Sequence, residues 1–277
     1  RNPKSILLTG STGFLGAYLL EELLSKTTAN IYCLVRCTHP EAGKQRLKSN
    51  LEFYSLWQEK LSDRIIPVVG DLSQPMLGCS QEQFEELAEK LDVIYHNGAL
   101  VNSFYPYSTL KATNVKGTEE VIRLASKTQT KPVHFVSTVA VFLSQANSPD
   151  SQIKETDNLA LNSLKGGYKQ SKAVAECLIN IAQERGMPAC IYRTSRITGH
   201  NETGITGNLK DFLWSVVKIC VELGKFPDVE TQPDLVTVDY VSKAIVHLSM
   251  QEESYGKAFH LSNPQPITWK QLMKKIG

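Results

Sequence analysis

The sequence predicts an α/β fold organised as a doubly wound parallel sheet, and three observations carry that expectation. Short apolar runs, each the length of a buried strand, recur at residues 31–35, 65–69, 93–96, 133–137 and 189–193. Segments of helical periodicity separate several of them, at 81–91, 108–128 and 168–185. A further apolar run at 5–8 leads through a glycine-spaced turn into Leu19, Leu20, Leu23 and Leu24 at helical spacing. Strands rich in Val and Ile that alternate with helices pair in parallel and are covered on both faces.

Composition sets the frame for the rest. A chain of 277 residues with 42% hydrophobic and 21% charged residues buries a real core, as one large unit or two modest ones. Its 30 basic and 28 acidic residues leave a formal charge of +2, so no global attraction to nucleic acid or an anionic membrane is expected. Six cysteines lie mostly in apolar segments without a Cys-x-x-Cys pair and read as reduced core thiols, with no metal site. No apolar run approaches the roughly 18 residues of a membrane span, and a signal-peptide pattern is missing at the start, so the expected location is cytoplasmic. The sequence opens at Arg1 without Met and ends at Gly277 soon after a helix-like start at 269–273, which suggests an excised domain cut short at its C-terminus.

Taken in order, Thr9-Gly10-Ser11-Thr12-Gly13-Phe14-Leu15-Gly16 comes first, between strand and helix. It looks like a dinucleotide phosphate loop of the Rossmann type. Gly10 permits the tight turn, Gly13 lets backbone approach a pyrophosphate, and Gly16 lets the helix pack closely on the strand. A Walker-type loop is excluded because no Gly-Lys-Ser/Thr follows. The second strand ends at Arg36, where an NAD-specific site usually places an Asp or Glu on the ribose 2′-hydroxyl. A guanidinium there suits a 2′-phosphate instead, with Arg46 as a second clamp, so NADPH is expected over NADH; solvated surface arginines are the alternative.

Gly70-Asp71-Leu72 and Asn97-Gly98-Ala99 close the third and fourth strands, at the carboxyl ends where open sheets bind ligands. Asp71 could accept from an adenine amino group and Asn97 to Ala99 could flank a ribose, although either triplet could equally be a plain turn. The fifth strand delivers Ser137 and Thr138. Tyr168 and Lys172 then open a helix four residues apart, on one face. An ammonium beside a phenol is expected to lower the phenol's pKa toward the working range. Beyond residue 198 comes a polar loop at 199–207, followed by an apolar stripe of Leu209, Phe212, Leu213, Val216, Val217 and Cys220. Trp214 and Val221 lie off that stripe and, with Val217, offer a second apolar flank for a substrate pocket or for core packing. Strand-like runs at 233–238 and 257–262 enclose a helix at 241–248. The expected division is a dinucleotide-binding unit at 1–198, with 233–250 returning to it. A smaller, discontinuous C-terminal substrate-binding cap takes 199–232 and 251–277.

Together these motifs resemble the extended short-chain dehydrogenase/reductases, and most closely the thioester reductase domains that terminate some nonribosomal peptide and polyketide synthetases, carboxylic acid reductases and aminoadipate reductases. The resemblance covers nearly the whole chain. It rests on the glycine loop, Leu34-Val35-Arg36, His96-Asn97-Gly98-Ala99 with Val101-Asn102, Asn114-Val115-Lys116-Gly117-Thr118, Val136-Ser137-Thr138 and the Tyr168/Lys172 pair, in that order. It implies that Thr12 to Leu15, Arg36, Arg46, Asp71, Leu72, Asn97 to Ala99, Thr138, Tyr168 and Lys172 hold NADPH. It further implies that Thr138 and Tyr168 bond the substrate oxygen while Lys172 supports Tyr168. The substrate would be an acyl or peptidyl thioester on the phosphopantetheine arm of a carrier domain of the same polypeptide, reduced to an aldehyde, with a second reduction to an alcohol left open.

Two departures stand out: Thr194 follows Arg193 where many extended members carry Pro, and Phe142 replaces a common Tyr. No serine-hydrolase elbow or His-Glu-x-x-His motif occurs. One rival is an extended reductase, epimerase or dehydratase acting on a nucleotide sugar or another small carbonyl compound. Another, of a different class, is a catalytically silent NADP-binding module, against which the joint presence of Thr138, Tyr168 and Lys172 argues.

Overall fold

A computed structural model describes residues 2–143, 153–207 and 212–276. Leu209 of the expected apolar stripe lies outside the described residues, as does the side chain of Phe212. The first half runs β1 (Ser5–Thr9), α1 (Phe14–Lys26), β2 (Asn30–Val35), α2 (Pro40–Phe53), β3 (Ile65–Val69), α3 (Gln81–Lys90) and β4 (Val93–His96). Next come α4 (Tyr107–Lys111), a π-helical turn (Ala112–Lys116), α5 (Gly117–Ser126), β5 (Val133–Thr138), α6 (Gly167–Glu184) and β6 (Ala189–Thr194). The chain continues through β7 (Arg196–Thr198), α7 (Phe212–Leu223), β8 (Leu235–Thr237), α8 (Val238–Ser249), β9 (Ala258–Leu261) and α9 (Trp269–Ile276).

Seven of these strands form one sheet in the order β3-β2-β1-β4-β5-β6-β9, every pair parallel. The order reverses between β1 and β4, which opens a crevice at the carboxyl ends of those strands. Alternation along β1 sets the two layers, since successive side chains point to opposite faces. Ile6 and Leu8 pack with Leu19, Leu20 and Leu23 of α1, Leu47 and Leu51 of α2, and Val241 and Ile245 of α8. Leu7 faces the other way, into the layer of Phe84 and Leu87 of α3, Val121 and Leu124 of α5, and Ile179 of α6. Helix α3 begins at a capping box in which Ser80 and Gln83 satisfy each other's backbone N–H groups.

Three elements differ from the sequence expectation. Helix α2 falls in a stretch with no helix foreseen, because only Gly43, Leu47 and Leu51 of its residues are buried and so narrow a stripe gives little periodic signal. The single helix expected at 108–128 is divided by the π-helical turn. Strand β9 joins the main sheet beside β6, so residues 258–261 sit in the sheet and not in the cap. Helix α8 packs into the layer of α1 and α2 through Val241 and Ile245. Outside the main sheet, α7 and α9 of the segments expected to form the cap are joined through Val217, Cys220, Trp269 and Met273, and β7 pairs in parallel with β8 as a separate two-stranded sheet.

Helix α6 is bound to the sheet by charge as well as by apolar contact. Glu176, fully buried, accepts from Arg193 Nε at 3.0 Å and Nη2 at 2.9 Å through one oxygen, and from the Ser137 hydroxyl through the other. Arg193 Nη1 donates to the Glu155 carbonyl at 3.0 Å and to His260 Nε2 at 3.2 Å, and the guanidinium lies 4.7 Å from the centre of the Phe142 ring. Glu176→Ala strands Arg193 as an uncompensated buried charge and is expected to cost about 3–5 kcal/mol in urea unfolding. A loss of under about 1 kcal/mol, the worth of an exposed pair, would show that the ion pair does not hold the helix.

Candidate active site

A cleft of about 900 Å³ runs along the carboxyl edge of the sheet. Its floor at one end is the glycine turn. Gly10 holds φ +72°, and a Cβ there would sit 2.7 Å from Gly98 Cα, so two backbones meet at a distance only glycine allows. A Cβ on Gly16 would lie 2.0 Å from the Gly10 carbonyl oxygen, which is why α1 can begin directly against the loop. The N-cap residue Gly13 offers no side chain to the first turn of α1, leaving its N–H groups for an anion. Uncapped donors beside Gly10, Gly13 and Gly16, which carry no Cβ atoms, fit a dinucleotide diphosphate.

Of the residues expected at the cofactor, Gly10, Thr12, Gly13, Phe14, Leu15, Gly16, Arg36, Arg46, Asp71, Leu72, Asn97, Gly98, Ala99, Thr138 and Tyr168 all line this cleft. Arg36 and Arg46 are exposed, and Arg46 Nη1 donates to the Arg36 carbonyl at 2.8 Å, which brings the second guanidinium to the end of β2. Asp71 accepts from Ser73 N and Oγ, both at 2.8 Å, through a single oxygen, and Asn97 Nδ2 donates to the Gly10 carbonyl at 3.4 Å. Ser11 is the exception in the loop. It is fully buried and absent from the cleft wall.

Thr138 ends β5 and Tyr168 lies in the first turn of α6, and both line the cleft. Thr138 Oγ1 accepts from Ala140 N at 3.2 Å, which leaves its hydrogen to donate elsewhere. Burial pushes the Tyr168 phenol up to about 12, so it is protonated at neutral pH. The expectation that Lys172 lowers this value therefore needs correction. Lys172 is buried behind the wall, where Nζ donates to the Val136 carbonyl at 2.7 Å and lies 4.0 Å from the centre of the Phe135 ring. Burial brings its amine down to about 7, against a partial opposing pull from Glu176 one turn on. An amine whose charge burial disfavours, and which is engaged with a carbonyl and a ring, is a weak lever on a neighbouring phenol.

Several wall residues were not singled out from the sequence: Lys169, Ser195, Arg196, Thr206, Asp234 and Leu143. Ser195 donates to Asp234, whose second oxygen accepts from Asn263 N at 3.0 Å, so the link between β6 and β7, the residue before β8 and the segment after β9 meet here. No local pattern announces this, because the three residues are far apart in the chain. Lys169 was within reach of inspection, as the neighbour of Tyr168. Of the suggested second flank on α7 only Trp214 reaches the cleft; Val217 packs into the α7–α9 cluster and Val221 is 53% exposed. Thr194, the departure at β6, lines the cleft and donates to the Ser137 carbonyl at 3.3 Å.

Strand order, glycine turn and the Thr138/Tyr168 wall define an oxidoreductase class, the extended short-chain dehydrogenase/reductases with a nicotinamide dinucleotide site. Residues 8–245 match the sequence profile of the male sterility protein family of NAD-binding domains, and the chain belongs to that family, in its thioester reductase branch. The chain is 50% identical over 275 residues to a component of the linear gramicidin synthase of Brevibacillus parabrevis, covering 99% of this chain and 5% of that protein. The terminal R domain from the myxalamid PKS-NRPS pathway superposes with TM-score 0.95 at 49% identity, over 99% of this chain and 70% of that one. A thiolation-reductase di-domain from an archaeal nonribosomal peptide synthetase gives 0.84 at 25% identity, over 99% and 59%. Among the described residues no cluster of three potential metal ligands occurs, and no helix is long and apolar enough to cross a membrane.

The buried amine makes a pH-dependent prediction. Between about 7 folded and about 10.4 unfolded, the unfolded chain holds a proton that the folded chain releases, so stability rises with pH across that window. Lys172→Met removes this contribution. Wild-type stability measured relative to the variant should therefore climb as pH is raised from about 7 to about 9 in urea titrations; a flat difference would place the folded amine at its ordinary value.

Proposed function

We propose that the chain uses NADPH to release a carrier-bound acyl or peptidyl thioester as an aldehyde, with the aldehyde open to a second reduction. The observation that carries this reading is the pair of hydroxyl donors, Thr138 and Tyr168, that line the same cleft as the glycine turn suited to a dinucleotide. Bound there, the nicotinamide supplies hydride to a carbonyl carbon. Thr138 and Tyr168 donate to the carbonyl oxygen as it gains charge, and Tyr168, protonated at rest, passes its proton to it. Collapse of the hemithioacetal then frees thiol and aldehyde. Lys172 holds α6 to β5 through the Val136 carbonyl.

The thioester and its carrier draw support from the relatives, a gramicidin synthase component and a thiolation-reductase di-domain. Val101, Val139, Leu143 and Trp214 give the cleft an apolar wall beyond the cofactor end, suited to an acyl group. Tethering raises effective concentration to roughly millimolar, so the docking surface need not be large. The test follows NADPH absorbance and free thiol together, with an acyl-pantetheine thioester as substrate. Stoichiometric loss of NADPH and gain of thiol is expected, slowed about 10²–10⁴-fold in Tyr168→Phe with cofactor binding nearly intact. Reduction of a nucleotide sugar or simple ketone with both thioester and carrier-bound acyl ignored would overturn the thioester reading.

The 2′-phosphate contact is worth roughly 1.5–3 kcal/mol as a charged hydrogen bond, or about tenfold or more in affinity. Arg36→Ala is expected to erase most of the preference for NADPH over NADH in fluorescence titrations. An unchanged ratio of the two dissociation constants would remove Arg36 from the phosphate site.

A further inference from the structure

We infer that His96 is a positioning residue, which fixes the turn beneath the cofactor end of the cleft relative to the helix that carries Tyr168. It touches neither the cleft nor the reacting groups. Its place is in a buried chain of hydrogen bonds whose directions admit one assignment.

Thr118 Oγ1 donates to the Asn114 carbonyl at 2.7 Å, so its only hydrogen is spent. The 3.0 Å contact between Thr118 Oγ1 and His96 Nε2 then requires the ring nitrogen to be the donor. His96 Nδ1 keeps its lone pair and accepts from Thr9 Oγ1 at 2.8 Å, and the Thr9 oxygen accepts from Gly98 N at 2.9 Å. Every hydrogen in the chain points the same way, from Gly98 through Thr9, His96 and Thr118 to Asn114. Burial, with the Lys172 charge nearby, brings the imidazole down to about 3, so the ring stays neutral and holds this tautomer. A protonated ring would face the Thr9 hydroxyl with a second donor and reverse or break that link.

Asn114 carries the chain onward. Its Oδ1 accepts from Leu100 N at 2.7 Å, and its Nδ2 donates to Leu100 O at 3.1 Å and Ser171 Oγ at 2.9 Å. Ser171 Oγ donates to the Tyr168 carbonyl at 2.8 Å. Gly98 and Leu100, both on the cleft wall, are thus gripped from below at two points, and the grip ends on the backbone of the proton donor. Asn114 lies in the π-helical turn between α4 and α5, a local widening of the kind that recurs at functional sites. His96, Asn114, Thr118 and Ser171 are all at most 2% exposed, so water cannot replace a lost link without rearrangement.

A network that served stability alone would show its loss in unfolding and not in the chemical step. His96→Phe and Thr118→Val keep shape while each removes one link. The measurement is single-turnover NADPH oxidation at saturating cofactor, with whichever carbonyl substrate the unaltered protein reduces, so failure of the thioester reading leaves the comparison intact. Each variant is expected to slow hydride transfer about tenfold to hundredfold, as small misplacements of reacting groups do, with NADPH affinity changed far less. The double variant should be no slower than the slower single, because both cut one chain, and His96→Gln, which retains a donor toward Thr118, should recover part of the rate. A folded single variant within about twofold of wild type, or losses that multiply in the double, overturns the inference. Should His96→Phe not fold, Thr118→Val and Thr9→Val, which cut on either side of the ring, decide it by the same criteria.

Discussion

The buried contact between Glu176 and Arg193 governs the geometry of the whole site. A parallel sheet delivers β5 and β6 side by side, but nothing in strand pairing says where along them α6 should lie. Arg193 and Ser137 converge on one carboxylate of that helix from two strands, and a carboxylate buried in this way tolerates little displacement. Tyr168 and Lys172 lie two turns and one turn upstream of Glu176, so their positions follow from it. The same arginine reaches the Glu155 carbonyl and His260, tying in β9 and the segment before α6. Position and not net stability is what such a pair supplies, since its desolvation cancels much of its attraction.

Charge is distributed along the cleft according to solvent. Arg36 and Arg46 stand exposed at the end of β2, where a guanidinium keeps its charge at little cost and can meet a phosphate. At the other end the one lysine of the helix pair is enclosed, its amine brought down to about 7. The phenol beside it moves upward for the same reason, since burial disfavours the charged form of either group. The outcome is a proton donor that remains loaded at neutral pH, with an ammonium that serves as much to anchor α6 on the Val136 carbonyl as to polarise anything.

The smaller lobe is economical by comparison. One parallel pair, β7–β8, and the α7–α9 cluster around Trp269 hold Trp214 over the cleft. Asp234 joins Ser195, between β6 and β7, to Asn263, after β9, so the part of the cleft that Ser195 and Asp234 line depends on three separate segments of the chain.

What the sequence determined by itself was whatever is local. The glycine turn, the strand ends carrying Arg36, Asp71, Asn97 and Thr138, and the four-residue spacing of Tyr168 and Lys172 are each set by steric rules or by periodicity within a few residues. Parallel strands place those ends on one edge, so the cofactor wall was legible once the strands were. The tertiary structure alone decided the rest. Helix α2 escaped notice because a narrow buried stripe is almost silent in sequence. Strand β9 joins the sheet because β6 offers an unpaired edge to a run whose burial pattern is not distinctive. The direction of the Tyr168 shift, the enclosure of Lys172, the inward turn of Ser11 and the meeting of Ser195 with Asp234 all depend on which distant atoms surround a group. Desolvation is a property of the packed volume and not of the neighbours in the chain, and for that reason no spacing rule contains it.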